Sequence, residues 1–175
     1  MKYLHSLYVA LLFIFLVPAQ AWSQKTMVTN TIAAEIDNLA IKNGIKFKAT
    51  GLTVSEAYLF FDDESLVPEN NKVTLNQNVN LLLIIEEGWN MPGGRVYPGS
   101  KQVLKLNTGV EILNSEELFA AFDETGVSPE DARYITLNAV ITELKDKKNY
   151  VIVNFRVWDK KGSGEITGSY KLYVK

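Results

Sequence analysis

The segment Ile135-Thr136-Leu137-Asn138-Ala139-Val140-Ile141 decides the fold class, because its apolar residues recur at every second position. This period of two is what a strand with one buried face requires. The same alternation runs through residues 151–157 and returns in residues 166–174. Turn-forming residues separate these segments at 145–149 and 159–164, so the sequence predicts three consecutive antiparallel strands.

Strand patterns also occupy the chain before residue 135. The segment Val79–Ile85 is apolar on both faces, which predicts a strand in the middle of a sheet. The remaining predicted strands are 44–49, 54–61, 72–75 and 103–113, and the central one extends over 79–86.

Helical signals are few and short. Asn114 with Glu117 three residues later predicts a capping box, followed by an apolar side that ends at Gly126. A second short helical turn is predicted at Ser128-Pro129, with proline at the first helical position. Residues 31–40 fit either a helix or an opening strand.

Many strands with one or two short helical connections predict a mostly β fold. We expect an antiparallel β-sandwich, immunoglobulin-like in the broad sense, formed by residues 31–175 as a single domain. A small β-barrel of the lipocalin type is the alternative. The chain contains no cysteine, so this domain depends on packing and not on disulfides.

The first 21 residues have the pattern of a cleavable signal peptide. A basic start at Lys2 precedes an apolar run over residues 7–17, and Ala19 and Ala21 supply the small residues of a cleavage site. The apolar run is about 16 Å long as a helix, which is too short for a hydrocarbon core of about 30 Å. We therefore expect an exported protein, periplasmic, cell-surface or extracellular, with residues 22–30 as a flexible N-terminus and no membrane insertion after cleavage.

Cleavage after Ala21 narrows the available chemistry, because the one histidine of the chain, His5, leaves with the signal peptide. Catalytic triads with histidine, cysteine nucleophiles and zinc sites with histidine are then excluded. The formal net charge of the whole chain is only −2 and no basic run is present, so the sequence predicts no binding of nucleic acid. No cofactor is predicted.

Acidic residues are the remaining candidates for catalysis or for binding metal. Glu86 and Glu87 are adjacent on a strand and point to opposite faces, so we interpret them as a solvated strand end. The acidic turns at 62–64 and 123–124 lack the ligand spacing of a calcium loop, and no metal site is predicted.

The loop 88–99 is the first candidate for a binding site. It contains Trp89, Arg95 and Tyr97 among two prolines and four glycines, directly after a buried strand. Tryptophan, tyrosine and arginine on a loop held by a rigid sheet are the residue types that dominate binding hot spots. The competing interpretation is that the aromatic residues turn inward and close the end of the sandwich.

Trp158 is the second candidate. If the face of Val151 and Val157 lies in the core, Trp158 lies on the opposite face, with Tyr173 as a neighbour on the last strand. Such a face either meets a partner or is covered by the N-terminal segment.

The leading functional hypothesis is a non-catalytic binding or interaction module that recognises a protein or carbohydrate ligand through Trp89, Arg95, Tyr97 and Trp158. Two alternatives are a carboxylate-dependent glycan hydrolase or lyase and a carrier of small apolar ligands. The lack of histidine and cysteine after residue 21 favours binding over catalysis. The sequence does not specify the oligomeric state.

Overall fold

The computed structural model describes residues 41–146 and 149–175, which form two sheets with a shared core. The sheets do not close on one another, so the predicted β-sandwich is confirmed and the barrel alternative is wrong. The predicted signal peptide (1–21), the predicted flexible N-terminus (22–30) and the undecided segment 31–40 lie outside the described residues.

Nine strands and three short helical turns make up the described part of the chain. The helical turns are Pro92–Gly94, Ala120–Phe122 and Pro129–Ala132. The strands are β1 (Lys46–Thr50), β2 (Thr53–Phe60), β3 (Lys72–Val73), β4 (Asn78–Glu87), β5 (Pro98–Leu106), β6 (Glu111–Asn114), β7 (Tyr134–Val140), β8 (Val151–Asp159) and β9 (Glu165–Val174).

The larger sheet has six strands in the order β1-β9-β8-β5-β6, with β3 added in parallel to the end of β9. The smaller sheet has three antiparallel strands in the order β2-β4-β7. β4 is therefore the central strand of its sheet, as its two apolar faces predicted. Leu81 and Leu83 on its inner face are fully buried.

The predicted run of three consecutive antiparallel strands is wrong in one respect. β8 and β9 form a hairpin, but β7 pairs with β4 in the other sheet. The alternation in β7 correctly assigned its buried face, with Leu137 inside, because this assignment needs only the strand's own period. The choice of partner strand depends on contacts with β4, which is far away in the sequence.

Two other local predictions have different outcomes. The capping box of Asn114 and Glu117 is wrong: Asn114 ends β6, and the carboxylate of Glu117 instead accepts hydrogen bonds from the backbone N–H groups of Ser100 and Phe119. The helical turn at Ser128-Pro129 is confirmed as Pro129–Ala132, and the hydroxyl oxygen of Ser128 caps it by accepting the N–H of Asp131 at 3.0 Å.

Strand β5 begins at Pro98, five residues before the predicted start, so the end of the predicted loop 88–99 belongs to a strand. Pro98 pairs with Asp159 and Gly99 pairs with Trp158. Proline and glycine are both weak strand formers, which is why the sequence pattern placed them in the loop.

Candidate binding face

Trp89 lies at the end of the sandwich, directly after β4. It is partly buried and packs against the hydrophobic core, and its indole Nε1 is buried with no hydrogen-bond partner among the described residues. The next residue, Asn90, holds this end of the sandwich closed: its N–H donates to Asp159 at 2.6 Å and its side-chain amide donates to the carbonyl of Lys161 at 2.5 Å. This inward position matches the competing interpretation of the loop.

Arg95 and Tyr97 lie on the other side of this loop. The guanidinium of Arg95 is exposed but donates to the carbonyls of Thr125 at 3.1 Å and Gly126 at 2.8 Å, so it fastens the loop to a neighbouring turn. Tyr97 is half-buried, and the ammonium of Lys161 lies 5.2 Å from its ring centroid. The loop brings Arg95 and Tyr97 to the same turn, whereas Trp89 faces the core.

Trp158 lies on the outer face of the six-stranded sheet, as the alternation in β8 predicted. Its indole covers the backbone of Gly99 on β5, because a Cβ built at residue 99 would lie 2.5 Å from the indole Nε1. The guanidinium carbon of Arg156 lies 4.7 Å from the centroid of the same indole. Trp158 is thus half-buried in a fixed position with a cation beside it.

The carboxylate of Glu165 completes this arrangement from β9, where Glu165 is the direct partner of Trp158. It accepts a hydrogen bond from Arg156 at 2.9 Å. This hydrogen bond holds the pKa of Glu165 below its ordinary value and raises the pKa of Arg156. Both side chains remain open to solvent, with 52% of Arg156 and 39% of Glu165 exposed.

A second aromatic pair lies further along the same face. The rings of Tyr150 and Tyr173 are 5.3 Å apart, and the ammonium of Lys171 is 5.0 Å from the Tyr150 centroid. The suggestion that Tyr173 lies on the outer face is therefore correct, although its direct aromatic neighbour is Tyr150 and not Trp158.

An open cleft of about 430 Å³ lies between these features, where β5, β6 and β8 run side by side. Its floor is formed by outward residues of β5 and β8, and its rim by the turn that joins β5 to β6. The lining residues are Val103, Lys105, Leu106, Asn107, Gly109, Glu111, Ile152 and Asn154. We refer to the outer side of the six-stranded sheet, including Trp158 and this cleft, as the outer face.

Several acidic residues outside the outer face are held in ion pairs and hydrogen bonds. Glu86 accepts hydrogen bonds from Arg133 at 2.7 Å and from Ser55 at 3.0 Å, and both hydrogen bonds lower its pKa. Glu117 and Asp123 converge on the ammonium of Lys160 and bind it from two sides.

Within 41–146 and 149–175, no group of three or more histidine, cysteine, aspartate and glutamate side chains is placed to hold a metal ion. In the acidic turn at 62–64, the carboxylate of Asp63 accepts both the hydroxyl and the N–H of Ser65, which lowers its pKa.

Sequence reasoning placed Trp158, Asn154, Arg156 and Tyr173 on one face but missed the residues that the other strands bring beside them. Gly99, Lys48, Lys101 and the partner role of Glu165 were not singled out. Lys48 and Lys101 each alternate with inward residues in their own strands, and this pattern predicts that both lysines point outward. The order of the strands, which brings these side chains to one face, is not readable from any single strand.

Comparison with known proteins informs the fold and not the function. No family model matches the sequence, and no curated protein matches it. The structure is similar to the crystal structure of the C-terminal domain of wzt, with a TM-score of 0.50 and 10% sequence identity, over 80% of this chain and 83% of that one. A similarity at this identity supports the sandwich architecture alone. Among the described residues, no helix is long and apolar enough to cross a bilayer.

Proposed function

We propose that the protein is a non-catalytic binding module that recognises a glycan through the outer face, with Trp158 and Arg156 at the centre of contact. The observation that carries this proposal is the stack of Arg156 on Trp158, held in place by Gly99 and Glu165 on a rigid sheet. Tryptophan and arginine are the residue types most enriched among binding hot spots.

The composition of the outer face favours a glycan over a protein partner. In the two rows that follow the indole along β8, the face presents the amide of Asn154 and the hydroxyls of Thr167 and Ser169. These groups can donate hydrogen bonds to sugar hydroxyls and accept hydrogen bonds from them. The face also presents exposed lysines such as Lys101, and lysine is depleted in protein–protein interfaces. The adjacent cleft of about 430 Å³ has the size of a small-ligand site.

The proposed contact surface is the outer face and not the loop 88–99. Trp89 packs against the core and Arg95 is bound to two carbonyls, so we assign these residues a structural role. The proposal also includes export, which rests on the signal-peptide pattern of residues 1–21.

A panel of immobilised polysaccharides tests the proposed function. The panel contains dextran, dextran sulfate, polygalacturonate and methyl-esterified polygalacturonate. We expect the protein to bind at least one of them, and W158A to bind it about tenfold more weakly, as loss of one hot-spot aromatic predicts. The matched control is Y134A, which removes an aromatic side chain that is 49% exposed on the other sheet.

Circular dichroism and thermal unfolding of both variants verify that each is folded. Retention of full binding by W158A, or binding to no member of the panel, would contradict the proposal.

A further inference from the structure

The outer face carries a concentration of positive charge that the composition of the chain conceals. The whole chain has a formal net charge of −2. The outward positions of β1, β5, β6, β8 and β9, however, hold six basic residues and only two acidic ones. The basic residues are Lys46, Lys48, Lys101, Lys105, Arg156 and Lys171, and the acidic ones are Glu111 and Glu165.

Both acidic residues of this face are already paired. Glu111 lies 3.7 Å from Lys105, and Glu165 lies 2.9 Å from Arg156. None of the ion pairs among the described residues includes Lys46, Lys48 or Lys101, and all three are exposed. The face therefore has cations available for an anionic ligand.

The strand register places these cations in rows that cross the sheet. Lys48 is the partner of Thr167, Thr167 is the partner of Arg156, and Arg156 is the partner of Lys101. Neighbouring strands are about 4.8 Å apart, so this row of three cations and one hydroxyl spans about 14 Å. Trp158 lies in the next row, two residues along β8 from Arg156.

The neighbouring row on the side away from Trp158 contains one cation and two groups that form hydrogen bonds. Lys46 pairs with Ser169, and Ser169 pairs with Asn154 at the edge of the cleft. A cation, a hydroxyl and an amide thus follow one another across three strands. Together the two rows form a strip that combines positive charges with groups that hydrogen-bond to hydroxyls.

We infer that the ligand is an acidic polysaccharide that lies across the strands along the row Lys48, Thr167, Arg156 and Lys101. A polymer with an anionic group at regular intervals complements cations spaced along a row, and its hydroxyls complement Thr167 and Ser169. This inference rests on the proposed function and adds the charge of the ligand and its direction on the sheet.

An anionic membrane fits the outer face less well. Peripheral binding to lipid needs apolar side chains that enter the bilayer surface as well as cations. On this face the large aromatic residue nearest the row, Trp158, is held against Gly99. Vesicles are therefore included in the test as a competing ligand.

The test compares polymers that differ only in charge. Polygalacturonate is paired with its methyl ester, and dextran sulfate with dextran, so that one pair varies a carboxylate and the other a sulfate. We expect the protein to bind an acidic member about tenfold or more tightly than its neutral partner, and this preference to weaken as salt is raised from 50 to about 500 mM.

The variant K48Q/K101Q tests the position of the charges. Both lysines are exposed, so we expect the variant to fold and to lose most of the preference for the acidic polymer. The control K42Q/K145Q removes the same charge from residues outside the strands of the outer face, Lys42 before β1 and Lys145 after β7, and should keep the preference. A difference between the two variants shows that the row, and not the net charge, binds the polymer.

The outcomes separate the inference from the proposed function. Equal binding to the charged and neutral members of a pair, with loss in W158A, overturns the acidic ligand and leaves glycan binding in place. If K48Q/K101Q and K42Q/K145Q lose the preference for the acidic polymer equally, the row of Lys48, Thr167, Arg156 and Lys101 is not the binding site. Binding to phosphatidylglycerol vesicles but to no polysaccharide overturns both the inference and the proposed function.

Discussion

Trp158 on β8 and Gly99 on β5 are direct partners in the sheet, and the indole of the first occupies the space above the backbone of the second. A Cβ atom at residue 99 would overlap Cε2 of the indole and lie 2.5 Å from Nε1. An aromatic side chain that covers a glycine on a neighbouring strand offsets the weak strand propensity of the glycine. The pair thus holds the start of β5 and the position of Trp158 together.

We predict that G99A displaces the indole of Trp158 and weakens glycan binding. Overpacking of this kind costs about 1–3 kcal/mol in the free energy of unfolding. The measurement is a double-mutant cycle in urea with G99A, W158A and G99A/W158A. Because the clash requires the ring, G99A should be less destabilising in the W158A background. An equal effect in both backgrounds would show that residue 99 does not act through Trp158.

Trp158 and Gly99 show which structural features a strand's own sequence pattern can predict. The alternation in β8 correctly assigned Trp158 to the outer face, because the face of each residue follows from the strand's own period. The sequence pattern places Gly99 in a loop, because glycine next to proline is typical of turns. Its place in β5 depends on the ring of Trp158, which is 59 positions away in the chain and enters only when β5 and β8 pair.

The positive outer face was missed for the same reason. Lys48 and Lys101 each alternate with inward residues, so each lysine's side of its own strand was predictable. Their common row requires the strand order β1-β9-β8-β5, which brings together segments from both ends of the domain. The sequence therefore indicated a nearly neutral chain without a basic run, whereas the folded sheet concentrates the basic residues on one side.

The ion pair of Glu165 and Arg156 predicts a pH dependence of binding. The hydrogen bond from Arg156 lowers the pKa of Glu165 from its ordinary value of 4.5. Glu165 is therefore more than half ionised at pH 4.5, and it becomes neutral as the pH falls through the lowered value. Below that pH the outer face gains positive charge, because Arg156 no longer has an anionic partner.

We predict that the protein binds dextran sulfate more tightly as the pH falls below 4.5, because sulfate groups stay charged there. Binding isotherms between pH 6 and pH 3.5 measure this effect, with circular dichroism to verify that the fold persists. E165Q is the matched variant: it should bind more tightly than the wild type at pH 6 and show a smaller change on acidification. If the binding of the wild type and of E165Q responds equally to pH, Glu165 does not cause the pH dependence.

The contribution of this ion pair to protein stability changes with pH in the opposite direction to binding. A carboxylate with a lowered pKa in the folded state stabilises the protein above its unfolded pKa, and this contribution disappears as the pH falls through the folded value. Since solvent reaches both side chains and screens the pair, the effect on stability is small. Acidification below pH 4.5 should therefore increase binding to the sulfated polymer while slightly lowering stability.

Asn43 and Asn71 form a buried polar connection at the other end of the sandwich. The amide of Asn43 donates to the side-chain oxygen of Asn71 at 2.9 Å, and the amide of Asn71 donates to the carbonyls of Asn43 and Lys171, each at 2.8 Å. Asn43 also accepts the N–H of Leu59 on β2 at 3.0 Å. This network ties the three-stranded sheet to β9.

We predict that N71A lowers the free energy of unfolding by about 2–4 kcal/mol, because it leaves several buried polar groups without partners. Asn71 has a positive φ of 54°, so part of any loss comes from placing alanine in a left-handed conformation. N76A is the control, because Asn76 has a φ of 61° but is exposed. Urea denaturation of both variants isolates the network, and equal losses would assign the whole effect to the backbone.

Tyr170 places a hydroxyl in the core between the two sheets. Its side chain is 1% exposed, its ring lies 6.4 Å from that of Phe155, and its hydroxyl has no hydrogen-bond partner within the described chain. Burial raises the pKa of Tyr170 far above its ordinary value, because the phenolate cannot be solvated there. A buried hydroxyl without a partner costs free energy that phenylalanine does not.

We therefore predict that Y170F leaves the free energy of unfolding unchanged or raises it by about 1 kcal/mol. Y173F, at a tyrosine that is 40% exposed, should have no measurable effect. Denaturant unfolding measures both variants, and ultraviolet titration of Y170F should show as many tyrosines ionising before unfolding as in the wild type, because the buried Tyr170 does not ionise in the folded protein. A loss of more than about 1 kcal/mol in Y170F would mean that the hydroxyl has a partner after all, since that is the size of a lost hydrogen bond.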